Sequence, residues 1–78
     1  MNHRDFRDAL ARLGLRQVEL ARLIGHLGGA APDTTTVNRW AKGSLPVPAA
    51  VAAVLALWEL LPGHARGRLR AAAGLRPR

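Results

Sequence analysis

Chain-breaking residues confine this 78-residue sequence to short helices. Gly14, the Gly28-Gly29 pair, Gly43, Pro46, Pro48 and the Pro62-Gly63 step punctuate it. Between them, apolar residues recur at roughly 100° per residue instead of alternating. No stretch has the alternating pattern of a strand, and nothing repeats internally. The expectation is an all-α chain of four to five helices. Residues 1–62 would form the main unit, and 63–78 a basic C-terminal helix and tail.

Each segment has signals at its ends. Asn2 is placed to cap a first helix, with Asp5 and Asp8 near its positive end. Phe6, Ala9, Leu10 and Leu13 share one face of that helix, and Gly14 stops it. A second helix, about 17–27, sets Leu20, Ala21, Leu23, Ile24 and Leu27 in one arc, with Glu19, Arg22 and His26 opposite. Asp33 caps a third helix, about 34–42, closed by Gly43. Val37, Trp40 and Ala41 form the apolar back of this third helix, and Thr35, Asn38, Arg39 and Lys42 its cationic front. That front mixes short hydrogen-bonding side chains with charge, unlike a solvated face rich in Glu and Lys.

Pro48 suits the first turn of a fourth helix, about 49–61. This helix is apolar nearly all round, with Val51, Val54, Leu55, Trp58 and Leu61 on one side and Ala50, Ala53, Leu57 and Leu60 on another. A small domain cannot easily cover both sides, so part of this surface is expected to meet a partner. A weak fifth helix, 64–73, is expected to expose Arg66, Arg68 and Arg70 around Leu69, with 74–78 frayed.

Twelve Lys and Arg against five Asp and Glu give a formal net charge of +7, the electrostatic footprint of a chain that binds an anion. A disordered basic tail is excluded, because 49% of the residues are apolar and supply a core. Eleven of the twelve basic residues are Arg, the side chain that grips phosphates and guanine edges bidentately. The chain has no Cys, and His3, His26 and His64 are scattered and read as ordinary surface groups. Neither a metal nor a cofactor is therefore expected. Charges from Arg4 to Arg12 break any secretory signal. The uncharged run from Gly43 to Trp58 holds 16 residues and two prolines, short of the roughly 20 that span a bilayer. The chain reads as cytoplasmic and off the membrane. No spacing suggests catalysis, since Ser44 is the only serine and no histidine lies near it in sequence.

Three runs carry a family likeness. They are Leu15-Arg16-Gln17-Val18-Glu19-Leu20-Ala21-Arg22-Leu23-Ile24-Gly25, then Thr36-Val37-Asn38-Arg39-Trp40-Ala41-Lys42-Gly43, then Pro46-Val47-Pro48. In that order they resemble the phage-repressor-like (Cro-like, XRE-type) helix-turn-helix family, over roughly Phe6 to Leu61. The resemblance implies a lambda-repressor-like domain that binds double-stranded DNA without a cofactor. On it, Gln17 bonds a phosphate from the start of the second helix, and Ala21 lets the second and third helices pack closely. The third helix enters the major groove and brings Thr34, Thr35, Asn38 and Arg39 to the bases. Arg16, Thr36, Lys42, Ser44 and the Gly43 amide hold the phosphate backbone. Two departures stand out. Arg16 occupies the place where the family usually has a capping Ser or Thr. Twelve steps separate Gly25 from Val37, more than the family has, so the insert from His26 to about Pro32 must lengthen the second helix or the turn after it.

Each side chain also has a plainer reading. Arg39 matches the O6 and N7 of guanine, or it is a solvated charge. Asn38 matches adenine, or it touches the backbone. Thr34, Thr35 and Thr36 cap the helix, or they contact thymine methyls and phosphates. Trp58 is core or dimer contact, and with Ala50, Ala53, Leu57, Leu60 and Leu61 it makes up the expected dimer interface. The C-terminal arginines reach phosphates or stay solvated. The expected function is a sequence-specific DNA-binding regulator, a homodimeric repressor reading an inverted repeat. The alternatives are an antitoxin or adaptor whose fourth and C-terminal helices bind a partner protein, and a nonspecific nucleic-acid-coating protein.

Overall fold

Local hydrogen bonds set where each helix begins and ends. The computed structural model describes residues 1–28 and 30–76. It contains α1 (His3–Leu13), α2 (Gln17–Gly28), α3 (Thr34–Lys42), α4 (Ala49–Leu60) and α5 (Gly63–Ala72), with no strand among the described residues. Asn2 Oδ1 accepts the Asp5 N–H at 2.8 Å, and Asp33 Oδ1 accepts the Thr35 N–H at 3.0 Å. Each such cap stabilises its helix by about 1 kcal/mol.

Three helices end on a left-handed glycine: Gly14 (φ +66°), Gly43 (φ +81°) and Gly74 (φ +77°). In each, the next N–H reaches back to a carbonyl five residues earlier: Leu15 to Leu10 at 2.9 Å, Ser44 to Arg39 at 3.0 Å, Leu75 to Arg70 at 2.7 Å. This is the Schellman arrangement. Leu15 and Leu75, each following its glycine, are both buried in the core. The tail expected to fray is therefore docked as far as Arg76, while Pro77 and Arg78 lie outside the described residues.

The core is centred on α3. Both α1 and α2 pack against it, α4 closes on α1, and α5 closes on α2. Phe6, Leu20, Leu23, Val37 and Leu55 are fully enclosed. The Phe6 and Trp40 rings meet edge to face, with centroids 6.1 Å apart and planes at 87°. Such a pair adds about 0.5–1.5 kcal/mol beyond the area it buries. Val51, Leu55 and Trp58 form the inner face of α4, which assigns Trp58 to the core. Ala50, Ala53, Leu57 and Leu60 stay exposed.

The insert lengthens both α2 and the turn. Helix α2 runs on to Gly28, and the chain then doubles back over its last turns. A β-carbon at Gly25 would lie 2.8 Å from that of Ala31, so only glycine allows the approach. Leu27, expected in the buried arc, is 54% exposed. It sits on the added final turn, past the last core-packed residues Leu23 and Ile24.

Three charged residues also depart from expectation. Glu19, placed by periodicity on the polar side of α2, is buried, and so is Arg70. Arg70 Nη2 donates to Glu19 Oε2 at 2.5 Å, and Arg70 Nε and Nη2 donate to the Arg76 carbonyl at 3.0 and 2.7 Å. The other Glu19 oxygen accepts the Arg16 N–H at 2.9 Å, the returning half of a capping box. Glu19 thus caps the start of α2, where no Ser or Thr is present. Arg66, also expected to be exposed, is half-buried. Its Nε and Nη2 donate to the carbonyls of Leu61 and Glu59 at 2.9 and 2.8 Å, closing the end of α4, which has no glycine cap. Only Arg68 of the three arginines is exposed as expected. On the surface, Arg12 makes a bidentate pair with Glu59, at 3.1 and 3.0 Å, between α1 and α4. Exposed pairs of this kind contribute about 0.2–1 kcal/mol. None of the described helices is long and apolar enough to cross a membrane.

Candidate functional site

Helix α3 presents two unlike faces because its sequence does. Val37, Trp40 and Ala41 are buried, which leaves Thr34, Thr35, Asn38, Arg39 and Lys42 exposed on the front. Those five side chains, with Gln17 from the first turn of α2 and Ser44 just past α3, line one open hollow of about 530 Å³. Every residue lining it has a polar side chain, with two cations, Arg39 and Lys42, and no carboxylate. Hydroxyls, amides, a guanidinium and an ammonium converge there, a donor-rich set matched to phosphate oxygens and base edges.

Seven of the nine residues expected to contact DNA are thereby brought together, and two are not. Thr36 is half-buried and does not line the hollow. It lies four residues before buried Trp40, one helical turn away on the same side of α3. Arg16 lies on the other flank of the α2 N-terminus, in a second hollow lined also by Val18, Glu19, Arg22, Gly74, Leu75 and Arg76. Its Nε is 3.6 Å from Glu19 Oε1.

The Gly43 amide, expected to hold a phosphate, is engaged within the helix cap, donating to the Trp40 carbonyl at 3.4 Å. A β-carbon at Gly43 would come within 2.9 Å of His3 Nδ1. His3 is accordingly half-buried against the end of α3 rather than an ordinary surface group, whereas His26 and His64 are exposed. Among the described residues, no three His, Cys, Asp or Glu side chains are grouped to hold a metal ion.

The apolar surplus of α4 forms a groove on a different face. Leu57, Trp58, Leu60 and Leu61, four of the six expected interface residues, line it together with Leu27, Val54 and Leu69, without a polar atom. Leu57 and Leu60 are 63% and 80% exposed. Trp58 contributes only a wall, being 3% exposed. Ala50 and Ala53 are exposed on α4 but do not line the groove.

Sequence reasoning missed Leu27 and Leu69 as groove residues and Glu19 with Arg70 as a buried pair. Signals were present for the burial of Glu19 and for the docking of the tail. Glu19 stands three residues after the Arg16 cap position, where a capping-box Glu belongs. Gly74-Leu75 repeats Gly14-Leu15, the pairing that ends α1 with a buried leucine. Leu69 joins the groove because α5 is docked by that second cap and by Arg70, which helical periodicity does not report. Set against known proteins, the chain matches no family model, no curated protein and no solved structure.

Proposed function

We propose that this chain is a double-stranded-DNA-binding transcriptional regulator of the helix-turn-helix kind, with α3 as its recognition helix. The observation that carries the reading is the polar hollow. Gln17, Thr34, Thr35, Asn38, Arg39, Lys42 and Ser44 face outward together from a helix whose back is locked into the core. A net charge of +7 supplies attraction to a polyanion. Gln17, Lys42 and Ser44 fix register on phosphates, and Thr34, Thr35, Asn38 and Arg39 meet base edges. Repression follows from occlusion of the promoter.

The test compares Arg39→Ala and Lys42→Ala on a duplex selected for tight binding and on scrambled DNA. Arg39→Ala is expected to weaken the selected duplex by about 1–3 kcal/mol and to relax preference at one base pair, whereas Lys42→Ala weakens both duplexes alike. Equal losses on both duplexes for Arg39→Ala would remove it as a base reader.

The apolar groove favours homodimerisation, which would place two α3 helices on an inverted repeat. An adaptor or antitoxin role uses the same groove for a different protein. Light scattering across a concentration series separates the two. A dimer that Leu57→Glu/Leu60→Glu converts to a folded monomer supports the regulator. A wild-type chain that stays monomeric at every concentration favours the adaptor.

A further inference from the structure

The second hollow, beside the start of α2, joins Arg16, expected from the family resemblance to hold a phosphate, with two arginines that the reading of α3 does not use, Arg22 and Arg76. Arg16, Arg22 and Arg76 line it, from the α2 cap, the second turn of α2 and the docked tail. Glu19 is the only carboxylate in the lining, and its oxygens meet Arg70 and the Arg16 N–H. Among the described residues, neither Arg22 nor Arg76 is paired with a carboxylate. The first turn of α2 adds its own partial positive charge.

The hollow lies on the opposite flank of the α2 N-terminus from the polar hollow of α3. Gln17 lines that one, while its neighbours Arg16 and Val18 line this one. A sugar-phosphate strand that touched Gln17 and continued around the start of α2 would meet Arg16 first. The tail is held there by structure: Arg70 binds the Arg76 carbonyl, and Leu75 is buried. Of the arginines after residue 60, Arg66 and Arg70 are engaged with internal carbonyls and Glu19. Arg76 brings C-terminal charge to the end of α2 that abuts the candidate interface.

We propose that Arg16, Arg22 and Arg76 form a second phosphate-binding site, which grips the DNA backbone beside the half-site read by α3. The proposal rests on the DNA-binding reading and extends it. These contacts lengthen the footprint on one flank and steepen salt dependence without adding base preference, because phosphates carry no sequence information.

The test uses the full chain and the Arg22→Ala/Arg76→Ala variant, whose side chains make no internal hydrogen bond among the described residues. Amide NMR follows each on titration with a duplex of about 20 base pairs, roughly two helical turns. A second titration uses inorganic phosphate alone. Binding to the duplex is also measured across salt concentrations. The expected result is duplex-induced shifts at both 34–44 and the Arg16, Arg22 and Arg76 amides. In the variant, the slope of log affinity against log salt falls by about 2 with sequence preference unchanged.

Shifts confined to 34–44, with an unchanged slope, overturn the second site and leave the α3 reading intact. Shifts confined to the arginine hollow overturn the α3 reading, and an absence of duplex-induced shifts overturns both. Saturable shifts with inorganic phosphate but none there with duplex overturn the proposal in favour of a small-anion site.

Discussion

Replacing Arg70 with alanine is expected to lower the free energy of unfolding by up to about 3–5 kcal/mol, because it removes the buried guanidinium from Glu19 Oε2 and leaves the exposed Arg16, 3.6 Å from the other oxygen, to offset the buried charge. That is a large part of the roughly 5–15 kcal/mol that stabilises a typical domain. The loss is concentrated because Arg70 joins three parts of the chain. It emerges from α5, binds Glu19 at the start of α2, and holds the Arg76 carbonyl of the tail. Glu19 in turn supplies the N-terminal cap that α2 otherwise lacks. Lysine is a poor substitute, since a single ammonium cannot reproduce the planar fork that serves two acceptors. Urea denaturation of Arg70→Ala, Glu19→Gln and the double variant Glu19→Leu/Arg70→Met checks this. Each single change should cost more than the double one, which exchanges the pair for apolar packing and is expected to lose chiefly the α2 cap and the hydrogen bonds to the tail, about 1 kcal/mol each. A cost below 1 kcal/mol for Arg70→Ala would show that the buried pair does not hold α5 in place.

Trp40→Ala is expected to cost a similar amount, about 3–5 kcal/mol, from lost burial and the cavity left behind. Its consequence differs, because Trp40 anchors the helix that carries the polar hollow. The indole packs edge to face on Phe6, tying the back of α3 to α1. Truncating it loosens the geometry of Arg39 and Lys42 relative to Gln17 across the hollow. Trp40→Phe retains much of the packing and should recover most of both stability and ligand binding. Thermal denaturation and duplex binding measured on the same samples would check this, and binding unchanged in a folded Trp40→Ala protein would contradict the anchoring role.

Legibility in the sequence followed the range of the forces involved. Helix ends were readable where a local cap sets them, as at Asn2, Gly14, Asp33 and Gly43, because each cap involves residues only a few positions apart. The two faces of α3 were readable because burial of Val37, Trp40 and Ala41 follows from helical period alone. The grouping of Gln17 and Ser44 with the α3 front came from the family resemblance, and the geometry of the hollow now places them with it. Glu19 and Arg70 were assigned to solvent because periodicity tests hydrophobicity, and two charges that neutralise each other in the core carry no hydrophobic signal. Their partnership spans 51 positions in sequence. Leu27 was assigned to the core for a related reason: the arc that buries Leu20 and Leu23 continues on paper past the end of the surface that covers it.

On the proposed function, α3 reads a DNA half-site as one of a symmetric pair. In-solution selection from random duplexes, followed by hydroxyl-radical footprinting of the recovered sequence, tests it most directly. The expected result is an inverted repeat with half-sites about one helical turn apart, roughly 10–10.5 base pairs centre to centre, and protection lost first in Arg39→Ala. Recovery of no preferred sequence, with equal affinity for scrambled duplexes, would contradict it.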